Sequence, residues 1–136
     1  MTQMEERKRP APGAELFIGE AEMHILAELG DSAFDSESDD SGLLTGRVFH
    51  DILGPWATVT GFSRDWSDAD DATGWFRTSE RYGTEMSRDD IARHTELFGD
   101  RTAFAVMIDP PNSQMAMYKI EDGEPVKVGA AILEGF

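Results

Sequence analysis

The groups in this chain that could do chemistry are its carboxylates, its three histidines and its hydroxyls, because the sequence contains no cysteine. That composition excludes disulfides, thiolate zinc sites and cysteine nucleophiles. Asp90 and His94 lie four residues apart on a predicted helix, so both could face one ion, but two ligands are too few to hold a metal. The sequence has no phosphate-binding glycine loop, no Gly-x-Ser-x-Gly elbow and no catalytic triad.

The acidic segment 35–40 has the density of carboxylates that a calcium loop needs. Counted from Asp35, however, the sixth position is Asp40 where such a loop requires glycine, and the twelfth is Gly46 where it requires glutamate. This segment therefore predicts a solvated loop and not a calcium site.

A denser pattern lies between residues 74 and 90. Gly74-Trp75-Phe76-Arg77-Thr78-Ser79 is followed, after ten intervening residues, by Asp90, and Ser87 precedes that aspartate by three positions. This pattern resembles the signature of the JAMM/MPN family of zinc metallopeptidases, whose active members hydrolyse isopeptide bonds to ubiquitin-like proteins. The family signature has a Gly-Trp-aromatic lead, then His-x-His, ten residues, and an aspartate with a serine shortly before it.

The resemblance extends on both sides of this signature and covers roughly Leu16 to Leu133. Residues 42–46 are similar to the Gly-Leu-x-x-Gly that opens the family's second strand, and residues 101–110 look like its next strand and Asp-Pro turn. The resemblance implies an α+β fold, namely a single curved mixed β-sheet of the cytidine-deaminase-like kind, flanked by two main helices. We expect this domain to span residues 14–136, after a flexible N-terminal tail of residues 1–13.

The resemblance also implies three zinc ligands, and this chain lacks two of them. Arg77 occupies the place of the first histidine, and a guanidinium is permanently cationic and donates no lone pair. Ser79 replaces the second histidine, and Glu80 stands where the family has proline. Asp90 remains, but one carboxylate cannot hold a catalytic zinc. The sequence therefore predicts no cofactor, no metal ligand set and no catalytic residue.

The family's general base is a glutamate shortly before the strand that begins at Gly42. Asp39 either matches that position, one methylene shorter, or belongs only to the acidic loop. In both cases a base without a metal-bound water has nothing acidic enough to deprotonate. Asp39, Arg77, Ser79, Ser87 and Asp90 thus form a degenerate site.

Structural roles also explain the motif residues. Ser87 and Asp90 are typical of a capping box at the start of a helix, and Trp75 with Phe76 is typical of a buried strand. We predict that Arg77 and Asp90 form a buried ion pair where the family holds its metal. Such a pair would join the strand to the helix as zinc does in active relatives.

The helices and strands that position these residues are predicted from the periodicity of apolar residues and from the glycines that end each helix. Helices are predicted over 20–29, ended by Gly30, and over 88–98, ended by Gly99. The predicted strands are 16–18, 43–52, 56–62, 73–78, 102–108, 114–120 and 126–133. A second acidic loop is expected around residues 65–71.

Composition restricts the partners. The 136 residues suit one domain, and the formal net charge of −15 repels nucleic-acid backbones. No stretch approaches the roughly 20 apolar residues of a membrane span, and no signal peptide is visible, so we expect a cytoplasmic protein that does not bind membranes.

Three functional hypotheses remain. The first is a non-catalytic scaffold or assembly subunit that binds other proteins, including another MPN-type domain, as a homodimer or heterodimer. The second is a binding module that recognises a peptide tail or a ubiquitin-like protein in a vestigial cleft. That cleft would be lined by Trp75, Arg77, Ser79, Glu80 and Asp90. The third is a hydrolase with zinc-independent chemistry at Ser79, Glu80 and Asp90.

Overall fold

The computed structural model describes residues 5–35, 41–78, 83–109, 112 and 114–133, and within them the chain has an α+β fold. The helices are α1 (Glu20–Asp35) and α2 (Arg88–Phe98), with a 3₁₀ helix over Trp66–Asp71. The strands are β1 (Glu5–Glu6), β2 (Leu16–Gly19), β3 (Ser41–Thr45), β4 (Val48–Asp51), β5 (Gly54–Val59), β6 (Gly61–Ser63), β7 (Ala72–Thr78), β8 (Phe104–Asp109), β9 (Gln114–Glu121), β10 (Glu124–Val128) and β11 (Ala130–Leu133). None of these helices is long and apolar enough to cross a bilayer.

The strands form two mixed sheets, so the prediction of a single sheet is wrong. One sheet has the order β1-β4-β5-β2-β11, and the other has the order β10-β9-β8-β7-β3-β6. The sequence pattern predicts one strand for each of the segments 43–52, 56–62 and 126–133. Each of these segments instead crosses from one sheet to the other. The sequence does not reveal the crossing, because the apolar run continues through the bend without any change of period.

The bend in the first two segments is a β-bulge. β3–β4 and β5–β6 form one long hairpin in which residues 46–47 on one arm are opposed by residues 58–60 on the other. An extra residue on one arm bends and twists the pair. A Cβ added to Gly46 would lie 2.0 Å from the carbonyl oxygen of Thr58, so the two arms can approach this closely only at glycine.

The two predicted helices differ in how well their ends were placed. α2 is confirmed: the Asp90 amide donates to Ser87 Oγ over 3.1 Å, the Ser87 amide donates to Asp90 Oδ2 over 2.8 Å, and both bonds of the capping box form. The predicted end of α1 at Gly30 is wrong, since the helix continues to Asp35. A glycine inside a helix costs only about 1 kcal/mol, so it does not have to end one.

The core explains why β7 is buried on both faces. Phe76 belongs to an apolar cluster with β2, β5 and β8 residues such as Leu16 and Val106. Trp75 belongs to a second cluster with Phe98 of α2 and Met107 of β8. The prediction that Trp75 and Phe76 are core aromatics is therefore confirmed.

The chain packs on the sheets well before residue 14, the predicted start of the domain. β1 pairs in parallel with β4, and the Arg7 amide donates to the His50 carbonyl over 2.9 Å. Arg9 is buried and its Nε donates to Asp51 Oδ2 over 2.9 Å. The basic run at residues 7–9 therefore includes one structural ion pair.

Candidate functional site

The candidate site lies between one face of β7 and one face of α2. Trp75 and Arg77, two residues apart, share a face of the strand, while Asp90 and His94, four residues apart, share a face of the helix. Arg77 meets Asp90, and Trp75 meets His94, so the strand and the helix are joined by two polar contacts. β7 itself is held between β3 and β8, which leaves neither of its edges open.

The Arg77–Asp90 contact is a buried, bidentate ion pair. Arg77 Nε donates to Asp90 Oδ1 and Oδ2 over 3.0 and 3.1 Å, and Nη2 donates to Oδ2 over 2.8 Å. The two residues are 7% and 8% exposed. This geometry confirms the predicted pairing and supplies the additional hydrogen bonds that a buried ion pair needs to offset desolvation.

The same guanidinium also bonds to the segment 83–85, which lies shortly before α2. Arg77 Nη1 donates to the Gly83 carbonyl over 3.1 Å, and Nη2 donates to the Glu85 carbonyl over 2.8 Å. From β9, the Tyr118 hydroxyl donates to the Thr84 carbonyl over 2.6 Å. Arg77 therefore organises residues 83–85 as well as the helix.

Asp90 is committed to these partners as a carboxylate. Burial alone would raise its pKa, but hydrogen bonds from Arg77 and from the Ser87 amide outweigh burial, so the pKa of Asp90 lies below its ordinary value of 3.8. Ser87 Oγ accepts the Asp90 amide. Both residues act together as the N-terminal cap of α2.

The residues present do not fit the zinc that the JAMM/MPN resemblance implies. The first ligand position is a cation, and both oxygens of Asp90 already accept hydrogen bonds from Arg77. His94 Nδ1 accepts from Trp75 Nε1 over 3.2 Å, so its lone pair is also in use. Throughout the part of the chain that the structure describes, no three histidine or carboxylate side chains come together.

The other predicted site residues separate into two groups. Asp39, Ser79 and Glu80 lie outside the described residues. Trp75 is 1% exposed and belongs to the core, so it offers no surface to a partner. The hypothesis that Arg77 grips the carboxylate of a peptide tail is not supported by this geometry, because the guanidinium is buried and bonded to Asp90 and to backbone carbonyls.

Sequence reasoning missed the second contact of the site, between Trp75 and His94. His94 is 3% exposed and its ring lies edge-to-face with Phe98 at 5.0 Å between centroids. Burial, together with the charge of Arg101, lowers the pKa of His94 to about 4. The available signal was its spacing: His94 lies three residues after Ile91 and four before Phe98, which is the apolar side of α2.

The glycine that leads the motif has a steric reason. Gly74 pairs with Phe104 of β8, and a Cβ added to Gly74 would lie 2.0 Å from the Phe104 carbonyl oxygen. Because the obstacle is backbone, we expect Gly74→Ala to lower the free energy of unfolding by at least about 2 kcal/mol. Gly13→Ala is the matched control, since no atom lies within 4 Å of its added Cβ. Equal urea midpoints for the two variants would contradict this explanation.

Comparison with known proteins supports the fold and leaves the family open. No protein-family model matches this chain, and no curated protein matches it. The solution structure of a structural-genomics target from Desulfitobacterium hafniense is similar, with a TM-score of 0.56 and 15% sequence identity over 88% of this chain and 93% of that one. A likeness at this level of identity concerns the fold alone.

Proposed function

We propose that this protein is a non-catalytic member of the JAMM/MPN fold that acts as a scaffold or assembly subunit through protein–protein contacts. The observation that carries the proposal is the Arg77–Asp90 ion pair. It occupies the two motif positions where the resemblance implies a histidine ligand and the aspartate ligand of zinc. The family joins this strand and this helix through a metal, and this chain joins them through a guanidinium.

The ion pair is a structural substitute for the metal and not a chemical one. A zinc ion would join β7 to α2, and Arg77 joins the same elements through Asp90 and adds the carbonyls of Gly83 and Glu85. Peptide-bond hydrolysis in the family depends on a metal that acidifies its bound water and polarises the carbonyl. A guanidinium whose donors are engaged by the protein supplies neither effect, so the fold is retained without the reaction.

The partners we propose are proteins, and neither nucleic acid nor membrane. The formal net charge of −15 disfavours a phosphate backbone and would attract a basic protein surface. We propose a cytoplasmic location, with which the absence of cysteine is compatible. Another MPN-type domain is the partner class that the resemblance implies.

The test is zinc stoichiometry. The wild-type protein, purified from zinc-supplemented medium and dialysed, should contain under about 0.1 zinc per chain by elemental analysis, since one carboxylate cannot retain the ion. The double variant Arg77→His with Ser79→His restores the family's two histidines and should gain zinc toward one per chain. Adding Asp90→Ala to that double variant should remove the zinc again.

Two results would overturn the proposal. Close to one zinc per wild-type chain would mean that another ligand set exists. Hydrolysis of an isopeptide-linked ubiquitin-like substrate by the wild-type protein, insensitive to chelators, would mean that rebuilt chemistry exists. If the double variant stays folded and gains no zinc, the assignment of this chain to the JAMM/MPN fold loses its main support.

The peptide-binding alternative can be tested in the same preparations. If a partner recovered from the native host is held by Arg77, its yield should fall with Arg77→Lys, which keeps the charge but loses the bidentate geometry. Unchanged recovery with a folded Arg77→Lys protein would show that the partner binds another surface. The burial of Arg77 favours that result.

A further inference from the structure

A buried carboxylate at the end of β8 lacks the partners that its burial demands. Asp109 is 5% exposed, and its Oδ2 accepts a hydrogen bond from Asn112 Nδ2 over 2.8 Å. The other oxygen, Oδ1, is buried and has no hydrogen-bond partner. The ion pairs within the described part of the chain all use other carboxylates. Burying an anion without a cation or several donors is costly, so Asp109 needs a further ligand.

Two other buried aspartates show how this chain satisfies such a group elsewhere. The side chains of Asp51 and Asp90 are 7% and 10% exposed. Each faces a guanidinium that donates to both carboxylate oxygens, and each also accepts from a backbone amide. Asp109 has one neutral amide donor in place of this set. The difference indicates a positive partner that the described residues do not supply.

The topology places Asp109 where sheets of this kind bind ligands. β7 and β8 are parallel and are joined through α2, and Thr78 pairs with Ile108 at their carboxyl ends. Ligands of open α/β sheets bind outside the carboxyl ends of parallel strands. The segment before α2 packs against the carboxylate here, because a Cβ built on Gly83 would lie 3.5 Å from Asp109 Oδ2.

Arg77 lies near this end of the sheet but does not supply the positive charge. Its Nη1 donates to the Gly83 carbonyl over 3.1 Å, and its other bonds run to Asp90 and to the Glu85 carbonyl. Asp109 therefore lies beside a segment that Arg77 positions, and among the described residues it has no ion pair of its own.

The donors available beside Asp109 are oxygens. Asp109 Oδ1 is a carboxylate oxygen, and the Asn112 side chain that bonds to Oδ2 carries a carbonyl oxygen of its own. Oxygen donors of this kind suit hard cations, whereas imidazole and thiolate suit zinc. Calcium accepts carboxylate, amide and backbone carbonyl oxygens in irregular geometry. Magnesium requires a near-octahedral shell and retains several waters, which does not suit an oxygen closed off from solvent.

We propose that Asp109 Oδ1 anchors a calcium site at the carboxyl ends of β7 and β8, with Asn112 as its second side-chain ligand. A single carboxylate gives weak binding, so we expect a Kd of about 10⁻⁴ to 10⁻³ M. The ion would link the end of β8 to the segment before α2, which Arg77 links to β7. This site is independent of the proposed scaffold role and of the zinc test, which concern Arg77 and Asp90.

The test is the thermal stability of the full chain after dialysis against EDTA. Calcium chloride at about 10 mM is at roughly 10 to 100 times the expected Kd. It should therefore raise the melting temperature by at least about 4 °C relative to sodium chloride of equal ionic strength. Magnesium chloride at the same concentration should raise the melting temperature less. Isothermal titration calorimetry should give about one calcium per chain.

Two variants assign the calcium response to this site. Asp109→Asn keeps the shape and removes the charge, so it should abolish the calcium response and, in EDTA, melt no lower than the wild type. Asn112→Asp, at an exposed position, adds a second carboxylate, so it should melt lower in EDTA and bind calcium at least about tenfold more tightly. Asp70→Asn is the matched control, because Asp70 is an exposed carboxylate of the 3₁₀ helix and its loss should not alter the response.

Three outcomes would overturn the proposal. The first is a melting temperature that calcium raises no more than sodium or magnesium does, which would assign the effect to the acidic surface as a whole. The second is a calcium response that survives Asp109→Asn in a folded protein. The third is a folded Asn112→Asp variant that binds calcium no more tightly than the wild type.

Discussion

Arg77→Met is expected to lower the free energy of unfolding by about 3–5 kcal/mol, because it removes one partner of a buried ion pair and leaves the carboxylate of Asp90 uncompensated. The loss should exceed that of an exposed arginine, since the guanidinium also bonds to the carbonyls of Gly83 and Glu85. Urea denaturation followed by tryptophan fluorescence measures it, because Trp75 lies two residues from the substitution.

A double-mutant cycle gives this prediction its control. Asp90→Asn keeps an oxygen that can accept the Ser87 amide, and removes the charge that Arg77 neutralises. The double variant should be less destabilised than the sum of the single variants, by at least about 1 kcal/mol. Arg88→Met, at an exposed position of α2, should change stability by under about 0.5 kcal/mol. Additive single effects, or an Arg77→Met loss as small as that of Arg88→Met, would show that the pair is not what joins β7 to α2.

The second large effect expected is a loss of stability on acidification, to which His94 contributes about 3 kcal/mol between pH 6.5 and below pH 4. The pKa of His94 is about 4 in the folded protein, below its ordinary value of 6.5. Burial, and after it the charge of Arg101, disfavours the imidazolium. The unfolded chain therefore takes up a proton that the folded chain refuses. Stability is fully present above pH 6.5 and falls through this window, by about 1.36 kcal/mol per pKa unit.

The geometry explains why the folded protein resists this proton. Trp75 Nε1 donates to His94 Nδ1, so the neutral ring carries its proton on Nε2. A proton added to Nδ1 would face the indole N–H and break the only bond between these two side chains. Acid is therefore expected to break the contact between α2 and β7 first at Trp75 and His94. The contact at Asp90 is expected to break only at lower pH.

This pH dependence can be assigned by substitution. The unfolding free energy of His94→Gln should be nearly flat between pH 6.5 and 5, whatever its value at pH 7.5. His24→Gln, at an exposed position of α1, should retain the wild-type slope. The lowered pKa values of Asp51, Asp65 and Asp90 cost stability from about pH 5 downward, as these carboxylates become protonated in the unfolded chain, so the window between pH 6.5 and 5 reports on His94. A slope that persists in His94→Gln would assign the effect to other groups.

The two contacts of the site could be foreseen to different degrees. The Arg77–Asp90 pair was predicted from a motif that resembles a metal site, with a cation at one ligand position and a carboxylate at another, and its members are 13 residues apart. The Trp75–His94 contact has similar separation, at 19 residues. It was missed because a single histidine on a helix has no charge partner in sequence that would indicate whether the ring is buried.

The sequence by itself determined what depends on near neighbours. The capping box of α2 needs only Ser87 and Asp90, the buried strand at Gly74–Thr78 shows in its composition, and the inability of a guanidinium to bind a metal is a matter of residue type. Each of these features is set by backbone conformation, hydrogen bonding or donor chemistry within a few residues of the chain. The helix and the strand that form the site were therefore predictable before their packing was known.

Only the tertiary structure decided the features that depend on distant segments. Arg9 and Asp51 are 42 residues apart, and nothing local distinguishes this buried pair from the exposed charges around it. The division into two sheets depends on a bulge that changes the pairing of two long arms while leaving their apolar pattern continuous. The exposure of Ile52 and Leu53 is of the same kind: hydrophobicity predicts burial, but a turn fixed from outside can hold two aliphatic side chains in solvent.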